Sequence, residues 1–229
     1  MSTMVGSSAG RRRVLVVDDQ PLFASGIALV IDAAEGLEVV AEVGSGQDAL
    51  DVIVTGVADV VLLDLRMPGM SGLAVLRRLR DAGDSTPVVV LTTLRHERAV
   101  YEALRSGAAA FLTKDAAPVL LLETIRRVLD GDRAVGAPEL RDVLVRHGDA
   151  SPPARSEALL PELTERERVV YVLCARGLTN AEIAAGEHVS VATVKSQVAA
   201  VLRKLGLASR VQLAIHAYEN GVVRPTLAP

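Results

Sequence analysis

Five short apolar segments, rich in β-branched residues, alternate with segments of helical length in the N-terminal half of the chain. The five are RVLVV (13–17), LEVVAEV (37–43), DVVLL (59–63), PVVVLT (87–92) and AAFLT (109–113). Between them, segments such as LFASGIALVIDAA and GLAVLRRLRDAG repeat apolar residues with the 3.6-residue period of a helix. Strands that are apolar on both faces and joined by helices form a parallel, doubly wound sheet. The sequence therefore predicts a five-stranded α/β domain, which the helical segment PVLLLETIRRVLDG closes.

From Leu163 onward the periodicity is helical only. Thr164 and Glu167 have the spacing of a capping box, and Thr179 or Asn180 is placed to cap the next helix. We predict a longer helix after Ser190, and we expect its outward face to carry Thr193, Lys195, Ser196, Gln197 and Ala200. Two short helices joined by a tight turn, followed by such a helix, form the helix-turn-helix pattern.

These patterns divide the chain into three parts. We predict an α/β domain over residues 12–132, a linker over residues 133–160, and an all-α domain over residues 161–224. The linker contains GDASPPARS, a composition typical of flexible connections. Pro138 is placed to begin a short helix within it, because its fixed φ suits a first helical turn.

The composition argues against a membrane protein, a disulfide-bonded protein and a histidine metal site. No apolar run reaches the length of a membrane span, and the single Cys174 forbids an intramolecular disulfide, so we expect no membrane association and a cytoplasmic location. The four histidines lie at no metal-ligand spacing. Residues 1–135 carry 14 basic and 18 acidic residues, whereas residues 161–229 carry 8 basic and 6 acidic ones. This asymmetry indicates that a polyanionic partner would meet the C-terminal domain.

Polar side chains end four of the five predicted strands. Asp18 and Asp19 follow the first strand, Asp64 the third, Thr92 ends the fourth, and Lys114 follows the fifth. The carboxyl ends of parallel strands share one edge of the sheet, where ligands bind. Three neighbouring carboxylates repel one another, and oxygen ligation of that kind suits Mg²⁺. A metal there would attract a phosphoryl donor, for which a carboxylate is a known nucleophile.

The alternative interpretation is that each of these residues is an ordinary strand-end polar group that forms a cap or a turn. For any one residue that interpretation stays open. Their convergence on one edge of the sheet, in this order, favours a reactive site.

The motifs Asp18-Asp19, DLRMPGMSG, LTT and FLTKD together resemble the receiver domain of bacterial two-component response regulators, over about residues 12–132. The resemblance implies that Asp64 is the phospho-acceptor and that Thr92 and Lys114 bind the phosphoryl group, with Phe111 as the aromatic switch residue. It implies a Mg²⁺ site formed by Asp18, Asp19, Asp64 and the backbone carbonyl of Arg66. One departure is Asp115, which follows Lys114 where many receivers have proline.

The segment from Leu163 to Val223, with GLTNAEIA, VSVATVKSQV and LRKLG, resembles the LuxR-type DNA-binding domain of the NarL/FixJ family. The resemblance implies four helices, with Val191 to Leu205 in the major groove and Arg210 to about Asn220 as a dimerisation helix. The candidate DNA-contacting residues are Thr193, Lys195, Ser196, Gln197, Ala200, Arg203 and Lys204. The alternative is that the charged members of this set only solvate the helix.

We therefore predict a transcriptional regulator, not an enzyme, that a sensor histidine kinase switches by Mg²⁺-dependent phosphorylation of Asp64. It would bind double-stranded promoter DNA, as a homodimer when phosphorylated or DNA-bound. One alternative is a DNA-binding regulator whose receiver does not depend on phosphorylation. Another is an aspartate-nucleophile phosphohydrolase, whose usual signature has a second Asp two residues after the nucleophile. Arg66 occupies that position here.

Overall fold

The N-terminal domain is built on one parallel sheet of five strands in the order β2-β1-β3-β4-β5. The computed structural model describes residues 10–93, 97–131, 160 and 162–223. The strands are β1 (Arg12–Val17), β2 (Leu37–Val43), β3 (Val60–Asp64), β4 (Val88–Thr92) and β5 (Ala110–Thr113). All residues of β3 and β4 are buried, because neighbouring strands and helices enclose them on every side. The predicted five-stranded, doubly wound domain is confirmed.

Five helices accompany the sheet, and their first residues explain where they begin. They are α1 (Pro21–Asp32), α2 (Gly46–Ile53), α3 (Gly72–Asp81), α4 (Glu97–Arg105) and α5 (Pro118–Leu129). Proline opens α1 and α5, where its fixed φ suits the helix and its missing N–H costs nothing. The Ser71 side chain caps α3 by accepting a hydrogen bond from the N–H of Ala74. Helix α3 therefore begins close behind β3 and Asp64.

The C-terminal domain consists of four helices in its described part: α6 (Glu165–Ala175), α7 (Asn180–Gly186), α8 (Val191–Leu205) and α9 (Arg210–Glu219). Capping boxes begin α6 and α7, and Thr179, rather than Asn180, is the cap of α7. Gly206 ends α8 with φ of 65°, a conformation that glycine adopts without a Cβ clash. Their apolar faces enclose Tyr171, which is fully buried. The predicted helix-turn-helix architecture is confirmed.

Some predictions lie partly or wholly outside the described residues. The linker over residues 133–160, apart from Leu160, and the short helix from Pro138 are among them. The domain boundaries therefore stay predictions. No helix in the described ranges is long and apolar enough to cross a membrane.

Candidate functional site

Three carboxylates meet at the carboxyl edge of the sheet. Asp18 and Asp19 follow β1, and Asp64 is the last residue of β3, which pairs with β1 in parallel register. One oxygen from each of the three carboxylates lies within 4.8 Å of the others. Asp18 and Asp64 are buried, whereas Asp19 is half-buried. The structure thus brings the predicted acidic cluster together.

The ammonium group of Lys114 joins two of these carboxylates. Its Nζ donates to Asp64 Oδ2 at 2.7 Å and lies 2.6 Å from Asp18 Oδ2. The backbone N–H of Lys114 donates to the carbonyl of Thr92 at 2.8 Å, which ties the loop after β5 to the end of β4. Only 11% of the Lys114 side chain is exposed. The partly desolvated ammonium group of Lys114 therefore contacts the carboxylate of Asp64, the last residue of β3.

The electrostatics of the cluster are unbalanced, since three carboxylates face one ammonium. Burial raises the pKa of Asp18 above its ordinary value, and its contact with Lys114 offsets this only in part. Burial lowers the pKa of Lys114, but hydrogen bonds with Asp18 and Asp64 outweigh it and the pKa is raised overall. Lys114 therefore stays protonated, and the cluster still lacks positive charge.

A divalent cation would balance the excess negative charge of the three carboxylates. Asp19 Oδ1 is buried and, within the described residues, has no hydrogen-bond partner, so a polar atom is desolvated without compensation. A cavity of about 530 Å³ opens onto the cluster and is lined by Asp19, Asp64, Arg66, Thr93 and Lys114 among others. Carboxylate oxygens beside such a cavity are the ligand type that Mg²⁺ takes while keeping several waters. The carbonyl of Arg66 as a further ligand stays a prediction.

Arg66 itself makes two other contacts at the rim. Its backbone N–H donates to Asp64 Oδ1 at 3.1 Å, and its guanidinium donates to Thr93 Oγ1 at 3.2 Å. The sequence motif assigns the phosphoryl-binding role to Thr92, but the guanidinium contact is made by its neighbour Thr93. Thr92 is buried, and its hydroxyl donates to the backbone carbonyl of Thr93, whereas Thr93 lines the cavity.

Phe111 lies on β5, half-buried against the core of the domain and paired in register with Val90 of β4. The roles of Thr92 in phosphoryl binding and of Phe111 in switching stay predictions.

Gly72 is a residue of the site that sequence reasoning missed. It is the first residue of α3, and a Cβ there would lie 2.2 Å from the carbonyl oxygen of Asp64. Its N–H donates to the carbonyl of Leu65 at 3.1 Å. The missing side chain therefore lets the start of α3 press against the backbone that carries Asp64. The one signal available in the sequence was a glycine directly after a capping serine.

We expect Gly72→Ala to destabilise the N-terminal domain by about 1–3 kcal/mol, the usual cost of overpacking a filled site. The methyl group would collide with backbone atoms, which cannot rotate away as a side chain can. Urea denaturation followed by circular dichroism measures the effect. Gly26→Ala, on the exposed side of α1 where a Cβ meets nothing within 4 Å, is the matched control. Equal stabilities for the two variants would contradict this account of Gly72.

Helix α8 presents most of the predicted DNA-contacting residues to solvent. Thr193, Lys195, Ser196 and Arg203 are exposed, whereas Gln197 and Ala200, which were expected to point outward, are half-buried. Ser190 caps the helix and its first turn contains no acidic residue. A helix N-terminus without acids favours a phosphate group, because its free N–H groups and dipole are positive.

Lys204 is already paired within the domain. Its Nζ donates to Glu167 Oε2 at 2.7 Å, and the same carboxylate accepts hydrogen bonds from the N–H and hydroxyl of Thr164. The ion pair with Lys204, together with the bonds from Thr164, lowers the pKa of Glu167 to about 2. Lys204 therefore ties α8 to the start of α6, and a phosphate would compete with Glu167 for it.

Comparison with known proteins accounts for both halves of the chain. Residues 14–126 match the family described as response regulator receiver domain, and residues 161–217 match the bacterial regulatory proteins of the luxR family. A nitrate/nitrite response regulator protein homolog of Haemophilus influenzae is 35% identical over 91% of this chain and 97% of its own. The nitrate/nitrite response regulator protein NarP of Escherichia coli is 37% identical over 89% of this chain and 93% of its own.

The likeness extends to a solved structure. The response regulator ChrA of a haem-sensing two-component system superposes with a TM-score of 0.51, at 31% identity, over 93% of this chain and 100% of that one. The chain belongs to the NarL/FixJ family of response regulators. It is thus a two-component response regulator with a LuxR-type DNA-binding domain.

In this response regulator the two domains contact each other through α4 and α9. Val211 and Ile215 of α9 belong to the apolar core of the receiver domain, whereas Leu213 and Ala217 belong to that of the DNA-binding domain. Helix α9 is therefore apolar on two faces, one for each domain.

Polar bonds surround this apolar contact. The Tyr101 hydroxyl donates to Glu219 Oε1 at 2.6 Å, and Gln212 Nε2 donates to the carbonyl of Arg105 at 2.6 Å. The Ser209 hydroxyl donates to the carbonyl of Ala108 at 3.0 Å. The helix that the resemblance assigns to dimerisation is thus partly covered by the receiver domain.

Proposed function

We propose that Asp64 accepts a phosphoryl group from a sensor histidine kinase, with Mg²⁺ bound, and that this reaction controls binding of the C-terminal domain to promoter DNA. The observation that carries the proposal is the placement of Asp64 beside an ammonium group and two further carboxylates, at the wall of a cavity. A carboxylate in that setting is an accessible nucleophile with a cation ready for an incoming anion.

The residues of the cluster have separate parts in this reaction. A carboxylate oxygen of Asp64 attacks phosphorus, forming an acyl phosphate while the bond from phosphorus to the donor breaks. Asp18, Asp19, Asp64 and the carbonyl of Arg66 would hold Mg²⁺, which neutralises charge on the phosphoryl oxygens when bound. Lys114, 2.7 Å from Asp64 in the unmodified protein, donates to a phosphoryl oxygen in the product. Thr92 donates its hydroxyl to another.

The connection from the site to the output passes through β4 and α4. Lys114 and Thr92 are joined by a backbone hydrogen bond, and the chain leads from Thr92 to α4, which contacts α9. Movement of Thr92 and Lys114 toward a phosphoryl group, with Phe111 following, would shift α4. The protein would then exist in two states, one with α4 packed against α9 and one with α4 displaced and α9 held less firmly. The negative charge of the phosphoryl group would bias the equilibrium toward the second state. Freed α9 helices would pair two DNA-binding domains on half-sites about one turn apart.

Glu219→Gln should raise the affinity of the unphosphorylated protein for DNA by about two- to fivefold, because it weakens a partly buried charged hydrogen bond with Tyr101. Fluorescence anisotropy with a labelled duplex measures the change. Glu187→Gln removes the same charge from an exposed residue at the end of α7 and controls for electrostatics. An equal gain in both variants would show that charge, and not the interdomain contact, is responsible.

The test of the proposed function is to incubate the protein with acetyl phosphate and determine its intact mass, with and without Mg²⁺. We expect one phosphoryl group per chain with Mg²⁺ and none after chelation. The same samples are then titrated with DNA, and we expect tighter binding by the phosphorylated form. Labelling that is unchanged after chelation of Mg²⁺ would refute the role of the metal. An affinity for DNA that is the same with and without the phosphoryl group would favour the alternative of a regulator whose receiver does not depend on phosphorylation.

A further inference from the structure

The ammonium group of Lys114 also contacts an aromatic ring. Its Nζ lies 4.7 Å from the centroid of the Phe23 ring, well within the range in which a cation is attracted to a ring face. Phe23 belongs to the first turn of α1, which begins at Pro21, directly after the acidic pair and Gln20. The Gln20 N–H donates to Asp18 Oδ1 at 3.0 Å, so the turn that holds Asp18 also sets the position of the ring.

The three donors of an ammonium group need three partners when it is desolvated. Two sides of Lys114 face Asp18 and Asp64. Besides the cavity at the acidic cluster, Lys114 lines an apolar groove of about 230 Å³ between α1 and α5, together with Phe23, Ile27, Leu112 and Leu121 among others. A groove of aliphatic side chains offers nothing to a cation, whereas the face of an aromatic ring is negative. Phe23 therefore supplies the polarisable surface that this wall otherwise lacks.

We propose that Phe23 is a positioning residue of the phosphoryl-acceptor site, whose ring holds the Lys114 ammonium at the edge of Asp64. The inference rests on the proposed function, since it concerns the rate at which Asp64 is phosphorylated. Lysine is a flexible point charge on a four-carbon stem, so a contact that restricts the stem increases the time that the charge spends at the phosphoryl position. When a phosphoryl oxygen replaces Asp64 Oδ2 as the acceptor, the ring remains a second contact of the ammonium group.

The experiment replaces Phe23 with phenylalanine carrying one, two or three fluorine atoms, which weaken the negative face of the ring with little change in size. With acetyl phosphate and Mg²⁺, we expect the maximal rate of labelling to fall stepwise, by about tenfold in all for the trifluoro ring. The donor concentration at half-maximal rate should stay unchanged. Phe23→Tyr, which keeps the ring, should stay within about twofold of the wild-type rate, and Phe23→Leu should match the trifluoro protein.

Leu22→Ala is the matched control, because Leu22 lines the same groove but is 92% exposed and leaves the ring in place. We expect its labelling rate to be unchanged. A second measurement, by NMR, does not depend on the phosphorylation reaction. The ring current of the aromatic residue at position 23 should shift the ε-CH₂ proton resonances of Lys114 in the wild type and in Phe23→Tyr, but not in Phe23→Leu.

Two results would overturn the proposal while leaving the proposed function intact. One is wild-type labelling rates across the fluorinated series together with a slow Phe23→Leu protein, which would make the ring a filler of the groove. The other is an ε-CH₂ shift that is the same in Phe23→Leu as in the wild type. A wild-type protein that takes up no phosphoryl group would instead refute the proposed function itself.

Discussion

Asp64→Asn should not be labelled at all by acetyl phosphate in the presence of Mg²⁺, whereas the wild-type protein takes up one phosphoryl group. The amide oxygen of asparagine is a poor nucleophile and cannot form an acyl phosphate, so the expected loss is complete. The substitution keeps the size of the side chain and leaves an oxygen for the Arg66 N–H, which now lies 3.1 Å from Asp64 Oδ1. Intact-mass spectrometry distinguishes the two proteins directly.

The matched control is Asp59→Asn, the same chemical change just before the other end of β3. Asp59 pairs there with Arg13 at 3.0 Å, and hydrogen bonding from that guanidinium holds the pKa of Asp59 below its ordinary value. We expect Asp59→Asn to lose some stability and to be labelled fully. A phosphoryl group that persists in Asp64→Asn, or disappears in Asp59→Asn, would remove Asp64 from its assigned role.

The part of the fold that is encoded locally was predictable from the sequence. β3 is recognisable because Val60 to Leu63 are apolar without alternation, as a strand covered on both faces must be. The capping box of Thr164 and Glu167 joins residues three apart and forms as predicted. The convergence of Asp18, Asp19 and Asp64 followed from topology, since the carboxyl ends of parallel strands share one edge.

Contacts between distant segments could not be predicted in the same way. The sequence assigned Glu167 to a cap and Lys204 to DNA, but the path of α8 brings the two within 2.7 Å. Tyr101 and Glu219 are 118 residues apart, and neither belongs to a motif. Gly72 lies where the start of α3 approaches Asp64, and Phe23 lies where the start of α1 approaches Lys114. Both approaches depend on the conformation of the loop before the helix, which the sequence pattern does not specify.

The DNA-binding surface yields the second large effect, at Lys195. This side chain is exposed on the first turns of α8, and no ion pair fixes it among the described residues, in contrast to Lys204. Lys195→Ala should weaken binding to every DNA sequence by about tenfold in a dimer, because each copy loses a phosphate contact. The plot of log affinity against log salt concentration should become less steep by about 1.8, since each contact contributes about 0.9.

Two further substitutions make this result specific. Lys195→Arg keeps the positive charge and should keep the slope of the salt plot. Gln197→Ala removes a half-buried amide that can pair with adenine, so it should change the preference among sequences and leave the slope unaltered. If Lys195→Ala instead changed only sequence preference, its role as a phosphate contact would be wrong. Since Lys204 is held by Glu167, Glu167→Gln, which releases Lys204 toward the DNA, should not weaken DNA binding as Lys195→Ala does.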